Sequence, residues 1–147
     1  MLVDFYQLGA SPPERVIAGI AAKVLAEGGR LLIVADEEAA LARLDRQLWD
    51  TGETSFLPHG IAGGAEDARQ PILLSTSPDA PNLARNMLIA DGLWRDAALA
   101  YDRAFYLFAA DTLAGARSAW KELGGKEGVE PRYWALVDGK WINNTQG

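Results

Sequence analysis

Few side chains in this sequence could carry out covalent or acid–base chemistry. His59 is the only histidine, and the chain contains no cysteine. A single histidine cannot form a metal cluster, and no Ser-x-Gly elbow lies near it to complete a catalytic triad. Asp45 and Glu53 are candidate partners for His59, although their spacing does not require the pairing. We therefore interpret His59 as a loop or packing residue and expect no catalytic, metal or cofactor site.

Glycine-rich turns could bind a phosphate through backbone amides, and the sequence offers two candidates. The segment 60–64 contains three glycines, but no Lys-Ser or Lys-Thr pair follows it, so it is not a Walker loop. The turn after the first predicted strand has one glycine, Gly9, followed by two prolines. A dinucleotide fingerprint needs several glycines at that point. We therefore predict a scaffold without a nucleotide site and assign no role to the loop 60–69.

Two basic residues on one late helix form the main electrostatic feature of the sequence. Arg117 and Lys121 are one helical turn apart and share a face, with Trp120 beside them. One interpretation is a solvated helix face. The other is a docking site for an anion, such as a carboxylate, next to an apolar ledge.

Trp49 and Phe56 are two large aromatic residues near a predicted loop. Trp49 follows Leu48, the last residue of an apolar helical stripe, and Phe56 comes shortly after it in a turn-rich segment. Such residues can close one end of a core, or they can form an exposed patch for a partner. The residues alone favour the core interpretation.

The elements that must position these residues follow an α/β rhythm. The first fifty residues read strand, helix, strand, helix, which is typical of a parallel sheet. A capping box is expected at Ser11 and Glu14, and the segment 51–69 is expected to be mostly turn and loop. Strands are predicted at 2–8, 31–35, 72–75, 87–89 and 103–108, with a short helix at 93–100 and a last helix ending near 123. The tail 132–141 is expected to be a hairpin or a final strand around 138–139.

Length and composition limit the class of protein. We expect the 147 residues to form one domain, residues 1–147. The formal net charge is −6, so direct nucleic-acid binding by the whole surface is not expected, and a local basic patch would stand out. The absence of cysteine is compatible with a reducing cytoplasm. The N-terminus lacks signal-peptide features and the apolar runs are too short for a bilayer, so we expect a cytoplasmic protein without membrane contact.

Several segments of the chain together resemble the chi subunit of bacterial DNA polymerase III. The resemblance runs in order along nearly the whole sequence. The segments at 44–49 and 55–59 together are the most specific. Its residues are DFY at 4–6, LDRQLW at 44–49, SFLPH at 55–59, the apolar run 31–35, the trio Arg117, Trp120 and Lys121, YW at 133–134 and DGKW at 138–141.

This resemblance implies a non-catalytic adaptor with a three-layer α/β fold: a mostly parallel sheet with helices on both faces, in a nucleotide-binding-like topology. Chi subunits bridge the clamp loader, through the psi subunit, to single-stranded-DNA-binding protein. They capture the acidic, apolar tail of that protein, including its terminal phenylalanine and carboxylate. The capture residues map to Arg117, Trp120 and Lys121, and the psi-facing residues map to Trp49 and Phe56.

The resemblance changes the interpretation of the two aromatic residues. Trp49 lies about 100° round its helix from Leu48, so it need not enter the same core. We therefore expect Trp49 and Phe56 on a second patch, separate from the late helix. Two alternatives remain: a small nucleotide-binding domain or enzyme of unknown substrate, and a homodimer that pairs through this patch.

Overall fold

The computed structural model describes residues 1–50, 58–137 and 140–143. Strands and helices alternate through the first fifty residues, and four further strands precede the last helix. The strands are β1 (Leu2–Gln7), β2 (Leu31–Val34), β3 (His59–Ile61), β4 (Ile72–Ser75), β5 (Asn86–Ile89), β6 (Arg103–Phe108), β7 (Glu130–Val137) and β8 (Lys140–Asn143). The helices are α1 (Pro13–Ala26), α2 (Glu38–Asp50) and α3 (Leu113–Gly124), with short 3-10 turns at Asp67–Arg69, Asp96–Ala100 and Ala110–Thr112.

The strands form one sheet in the order β3-β4-β2-β5-β6-β1-β7-β8. Every neighbouring pair is parallel except the last, in which β7 and β8 form an antiparallel hairpin. The mostly parallel sheet is therefore confirmed, and the tail, for which a hairpin or a final strand was expected, contains the antiparallel pair β7 and β8.

The side chains of β2 show why the sheet is covered on both faces. All four are buried. Leu31 and Ile33 belong to a cluster with residues of α1 and α2, whereas Leu32 and Val34 belong to a cluster with residues of α3. Because successive side chains of a strand point to opposite faces, α1 and α2 lie on one face and α3 on the other. The predicted three-layer α/β fold is confirmed.

Some local predictions were wrong. Ser11 does not cap α1: Pro12 is the N-cap residue, and no side chain bonds the helix start. Proline has no side-chain acceptor, but its fixed φ leads directly into the first turn. The described part of the segment expected to be turn and loop, residues 58–69, is mostly turn as predicted, but it includes the short strand β3, which pairs with β4 and was not predicted. The helical piece expected at 93–100 is a 3-10 turn confined to Asp96–Ala100.

A buried carboxylate joins the three strands β6, β1 and β7. Asp4 is fully buried and accepts hydrogen bonds from Arg103 Nε at 2.8 Å, Arg132 Nε at 2.7 Å and Trp134 Nε1 at 3.0 Å. Burial by itself raises the pKa of Asp4, but the hydrogen bonds from Arg132, Trp134 and Arg103 outweigh it, and the pKa is lowered. Asp4 is therefore held ionised, and it fixes the positions of both guanidinium groups.

Candidate functional site

Helix α3 borders a cleft on the face of the sheet that it covers. The cleft has a volume of about 370 Å³. Its lining residues are Gln7, Phe108, Leu113, Ala116, Arg117, Trp120 and Tyr133. Ala116, Ala119 and Leu123 are the buried residues of α3, so the helix packs on the sheet through small and aliphatic side chains. Trp120 lies at the edge of this contact and is partly buried.

The aromatic side of the cleft is a connected set of rings. The Trp120 ring meets Phe5 edge to face at 5.1 Å between centroids and meets Tyr133 in the same way at 5.8 Å. The Tyr133 hydroxyl donates to Gln7 Oε1 at 2.6 Å. Burial raises the pKa of Tyr133, and the nearby positive charge of Arg117 opposes this rise. Trp120 is therefore a fixed ledge rather than a mobile surface ring.

Arg117 and Lys121 supply the positive charge of this face of α3. Both are exposed, and neither forms an ion pair with a carboxylate among residues 1–50, 58–137 and 140–143. Arg117 lines the cleft beside Trp120, while Lys121 follows one turn later on the helix. The structure thus brings together an exposed guanidinium, an apolar ledge and a cleft. Such an arrangement can take a carboxylate and an adjacent apolar group.

The end of α2 and the strand β3 form a second surface. Leu48 is buried at 2 % exposure, whereas Trp49 is 51 % exposed. The Trp49 ring lies against the His59 ring at 4.5 Å between centroids. The core interpretation of Trp49 is therefore wrong, because the helix turns this residue away from the stripe that ends at Leu48. Phe56 lies outside the described residues.

His59 is a buried packing residue. Its Nε2 lies 3.2 Å from the main-chain oxygen of Asp45 and 3.1 Å from the Asp45 carboxylate oxygen Oδ1. A carbonyl oxygen can only accept, so Nε2 must carry the hydrogen. Of the two partners considered from the sequence, Asp45 makes the contact, and Glu53 lies outside the described residues. His59 ties β3 to α2 and supports the Trp49 ring.

The glycines of the loop after β3 have a local role. The Asp67 carboxylate accepts the backbone N–H of Gly63 at 2.9 Å and that of Gly64 at 3.1 Å. Gly63 has a φ of +115°, a conformation that favours glycine. These two amides, which could have bound a phosphate, are therefore bonded to a side chain of the same loop.

Sequence reasoning missed a third cluster, on the opposite face of the sheet from α3. Tyr6 and Trp134 are stacked at 6.3 Å with an angle of 13° between their planes, and Trp141 meets Tyr6 edge to face at 5.1 Å. The one available signal was Asp4, a charged residue in a strand whose other residues are apolar or aromatic apart from the terminal Gln7. Its partners come from 99 and 128 positions later in the chain, so only the pairing of β1 with β6 and β7 reveals them.

In the part of the chain that the structure describes, no three or more histidine, aspartate or glutamate side chains are grouped so that they could hold a metal ion. None of the helices in that part is long and apolar enough to cross a membrane.

Comparison with known proteins identifies the family. A sequence model described as DNA polymerase III chi subunit, HolC, matches residues 1–131. The chain belongs to the DNA polymerase III chi subunit family. A relative from Escherichia coli K12, DNA polymerase III subunit chi, is 32 % identical over 82 residues, which are 56 % of this chain and 56 % of the relative. A relative of the same name from Pseudomonas aeruginosa is 31 % identical over 90 residues, which are 59 % of this chain and 61 % of the relative.

The matches cover only part of the relatives and part of this chain. The matched segments span a little over half of the length of these two chi relatives. Residues 132–147, which include Tyr133, Trp134 and Trp141, lie beyond the segment that the family model matches. The family model therefore does not cover the two C-terminal segments of the resemblance, YW at 133–134 and DGKW at 138–141.

Solved structures show the fold alone. The C-terminal domain of S. cerevisiae Dbp5, in a structure with Gle1 and IP6, superposes with a TM-score of 0.60 over 89 % of this chain and 88 % of that one. A second structure, of the C-terminal domain of the DEAD-box protein Dbp5, gives a TM-score of 0.55 over 90 % and 89 %. Both are 11 % identical to this chain. The α/β architecture is thus shared with proteins outside the family.

Proposed function

We propose that this chain is a non-catalytic replication adaptor that links the DNA polymerase III clamp loader to the acidic C-terminal tail of single-stranded-DNA-binding protein. Membership of the chi family supports the replication role. As a bacterial polymerase subunit, the protein would act in the cytoplasm. The observation that carries the tail-binding proposal is the cleft beside α3, where the exposed Arg117 lies next to the fixed ring of Trp120.

The chemistry of the cleft matches a peptide that ends in phenylalanine. The Arg117 guanidinium would bind the terminal carboxylate, since a planar fork of N–H donors fits a carboxylate. The terminal phenyl ring would pack on Trp120. Gln7 accepts from Tyr133 with Oε1, so its amide N–H groups are directed elsewhere and could donate to the peptide. Lys121, one turn further on, would attract the acidic residues that precede the terminal phenylalanine.

Calorimetry with the tail peptide tests this site. Arg117→Ala should weaken binding by about 1–3 kcal/mol, the range of a hydrogen bond to a charged group. Wild-type binding should also weaken with added salt. Arg46→Ala is a matched control. Arg46 is exposed on α2, so this substitution removes the same charge from the opposite face of the sheet. Equal binding by wild type and Arg117→Ala would show that the cleft is not the tail site.

The exposed surface around Trp49 is proposed to bind a second partner, a psi-like subunit or another clamp-loader component. Trp49 presents half of its side chain to solvent. Ile61 is 41 % exposed and shares a strand face with His59, the residue that supports Trp49. Phe56 is assigned to the same surface from the resemblance. Burial of a large apolar side chain in a partner would contribute roughly 1.5–3 kcal/mol.

Adjacent residues of α2 provide a sharp test of this second surface. Trp49→Ala should weaken partner binding and leave the melting temperature nearly unchanged. Leu48→Ala should do the opposite: it empties a buried site, which costs about 2–5 kcal/mol of stability. Tail-peptide binding should survive Trp49→Ala, because the two surfaces lie on different elements. If Trp49→Ala unfolds the protein while the remaining folded fraction still binds its partner, the second surface is not a docking site.

A further inference from the structure

A second cleft lies on the opposite face of the sheet from the proposed tail site. It has a volume of about 600 Å³ and lies between α1 and the strands β6, β1, β7 and β8. Arg15, Gly19 and Lys23 form its helical wall, at successive turns of one helix face. The sheet contributes two further arginines and the stacked aromatic residues to the other wall.

The charge of this cleft is opposite to that of the whole chain. Among the residues that the structure describes, four cations line it, Arg15, Lys23, Arg103 and Arg132, and no carboxylate does. Asp4 lies buried below and binds Arg103 and Arg132. Arg15 and Lys23 are exposed, and within the described ranges they form no ion pair. A local positive field therefore exists on a protein with a net charge of −6.

The aromatic rings of the cleft are held in place. Trp134 stacks on Tyr6, donates from Nε1 to Asp4 and lies under the guanidinium of Arg132 at 5.5 Å. Trp141 contacts the same tyrosine from the hairpin strand β8. All three rings are partly exposed and line the cleft, so they offer a preorganised apolar platform beside the cations.

Gly19 keeps the helical wall open. It lies in the interior of α1, where glycine is a poorer helix former than alanine. A Cβ atom added there would meet no atom within 4 Å, so packing inside the protein gives no reason for glycine. Its absent side chain leaves a gap between Arg15 and Lys23, which lie two turns, about 12 Å, apart along the helix axis.

We propose that this cleft binds single-stranded nucleic acid. Proteins that bind such strands without sequence preference combine cations that follow the phosphates with aromatic rings that stack on the bases. Arg15 can bind phosphate oxygens with two N–H groups at once. Arg103 and Arg132 already donate to Asp4, and the three groups together add one net positive charge to the cleft. An acidic peptide could form ion pairs with the cations, but it has fewer flat groups that could stack on three aromatic rings. The net charge argues against binding over the whole surface, and the proposal concerns this local patch alone.

The proposal does not depend on the tail site or on the family. Arg132, Trp134 and Trp141 all lie beyond the segment that the family model matches. Failure of this proposal would therefore leave the adaptor role intact.

Fluorescence anisotropy with a labelled oligothymidylate at low salt tests the proposal. Wild type should bind, and the plot of log K against log salt should have a slope near −2, since the four cations less the charge of Asp4 neutralise about three phosphates, each of which contributes roughly −0.7. The double variant Arg15→Ala/Lys23→Ala should bind more weakly, with the slope reduced by roughly 1.4. The control Arg43→Ala/Arg46→Ala removes the same charge from exposed positions on α2 and should bind as wild type does.

A steric variant separates binding from folding. Gly19→Leu should fill the gap in the wall and abolish oligonucleotide binding, while the melting temperature stays the same or rises, because leucine is the better helix former. Three results would each overturn the proposal: no binding by wild type at low salt, equal loss of affinity in the cleft variant and the control, or displacement of the oligonucleotide by an acidic peptide that binds the cleft more tightly.

Discussion

Asp4 is expected to be the most sensitive polar residue in the fold. Asp4→Asn keeps the shape of the side chain but removes the charge that two arginines share. Breaking a buried ion pair by removal of one partner typically costs about 3–5 kcal/mol. The side chains of Arg103 and Arg132 retain 22 % and 27 % exposure, so water can partly solvate the charges that are left. We therefore expect Asp4→Asn to lower the free energy of unfolding by about 2–3 kcal/mol at neutral pH.

The pH dependence of this loss is a second, independent expectation. The pKa of Asp4 is lowered in the folded state relative to its ordinary value of 3.8, because the hydrogen bonds outweigh the opposing effect of burial. Its stabilisation is consequently present above the unfolded-state pKa and is lost as the pH falls through the lower folded-state pKa. The stability difference between wild type and Asp4→Asn should shrink at acid pH.

Urea unfolding monitored by tryptophan fluorescence, repeated from neutral to acid pH, measures both quantities. Asp111→Asn is the control: this exposed aspartate should change stability by less than about 0.5 kcal/mol. A cost for Asp4→Asn below about 1 kcal/mol at neutral pH would refute the reasoning. A cost that stays constant as the pH falls would refute the assigned direction of the pKa change.

Three other substitutions test local features of the fold by thermal or urea unfolding. Gly92→Ala should lower stability by more than about 1 kcal/mol, because φ is +76° there and an added Cβ would lie 2.7 Å from two Thr112 carbon atoms; an unchanged melting temperature would contradict this. Leu83→Gly should raise stability by about 0.5–1 kcal/mol, because Leu83 has a φ of +60° and is 81 % exposed; a loss would show that Leu83 has a packing role. Tyr106→Phe should cost about 1–2 kcal/mol, because its buried hydroxyl donates to the Gly92 carbonyl at 2.8 Å; a neutral result would mean that water replaces the bond.

The layers of the fold could be predicted from the sequence because its buried strands are short and strongly apolar. The run at 31–35 is apolar without alternation, which is the pattern of a strand covered on both faces, and the structure buries all four residues of β2. The strand β3 could not be predicted in the same way. It has three residues, one of them Gly60, and its pairing with β4 depends on tertiary contacts rather than on local propensity.

The candidate sites also differ in whether their features follow from local sequence or from contacts between distant segments. The shared face of Arg117 and Lys121 follows from helical period alone. The outward position of Trp49 next to the buried Leu48 is compatible with that period, but the residues alone favoured the core interpretation, and only the family resemblance changed it. The cluster around Asp4 could not be predicted, because its parts come from three strands that are distant in sequence. The cleft between α1 and the final hairpin depends on the same long-range pairing.

The proposed contact between Arg117 and the terminal carboxylate of the tail peptide can be measured directly by a double-mutant cycle. Calorimetry would compare the peptide with a free C-terminal carboxylate and the same peptide with a C-terminal amide, each against wild type and Arg117→Ala. For wild type, the amide should bind about tenfold more weakly or worse, in line with the loss of a charged hydrogen bond. For Arg117→Ala, the two peptides should bind almost equally, because the partner of the carboxylate is gone. If the amide weakens binding by the same factor in both proteins, the carboxylate is held elsewhere and the assignment of the tail site to the α3 cleft is wrong.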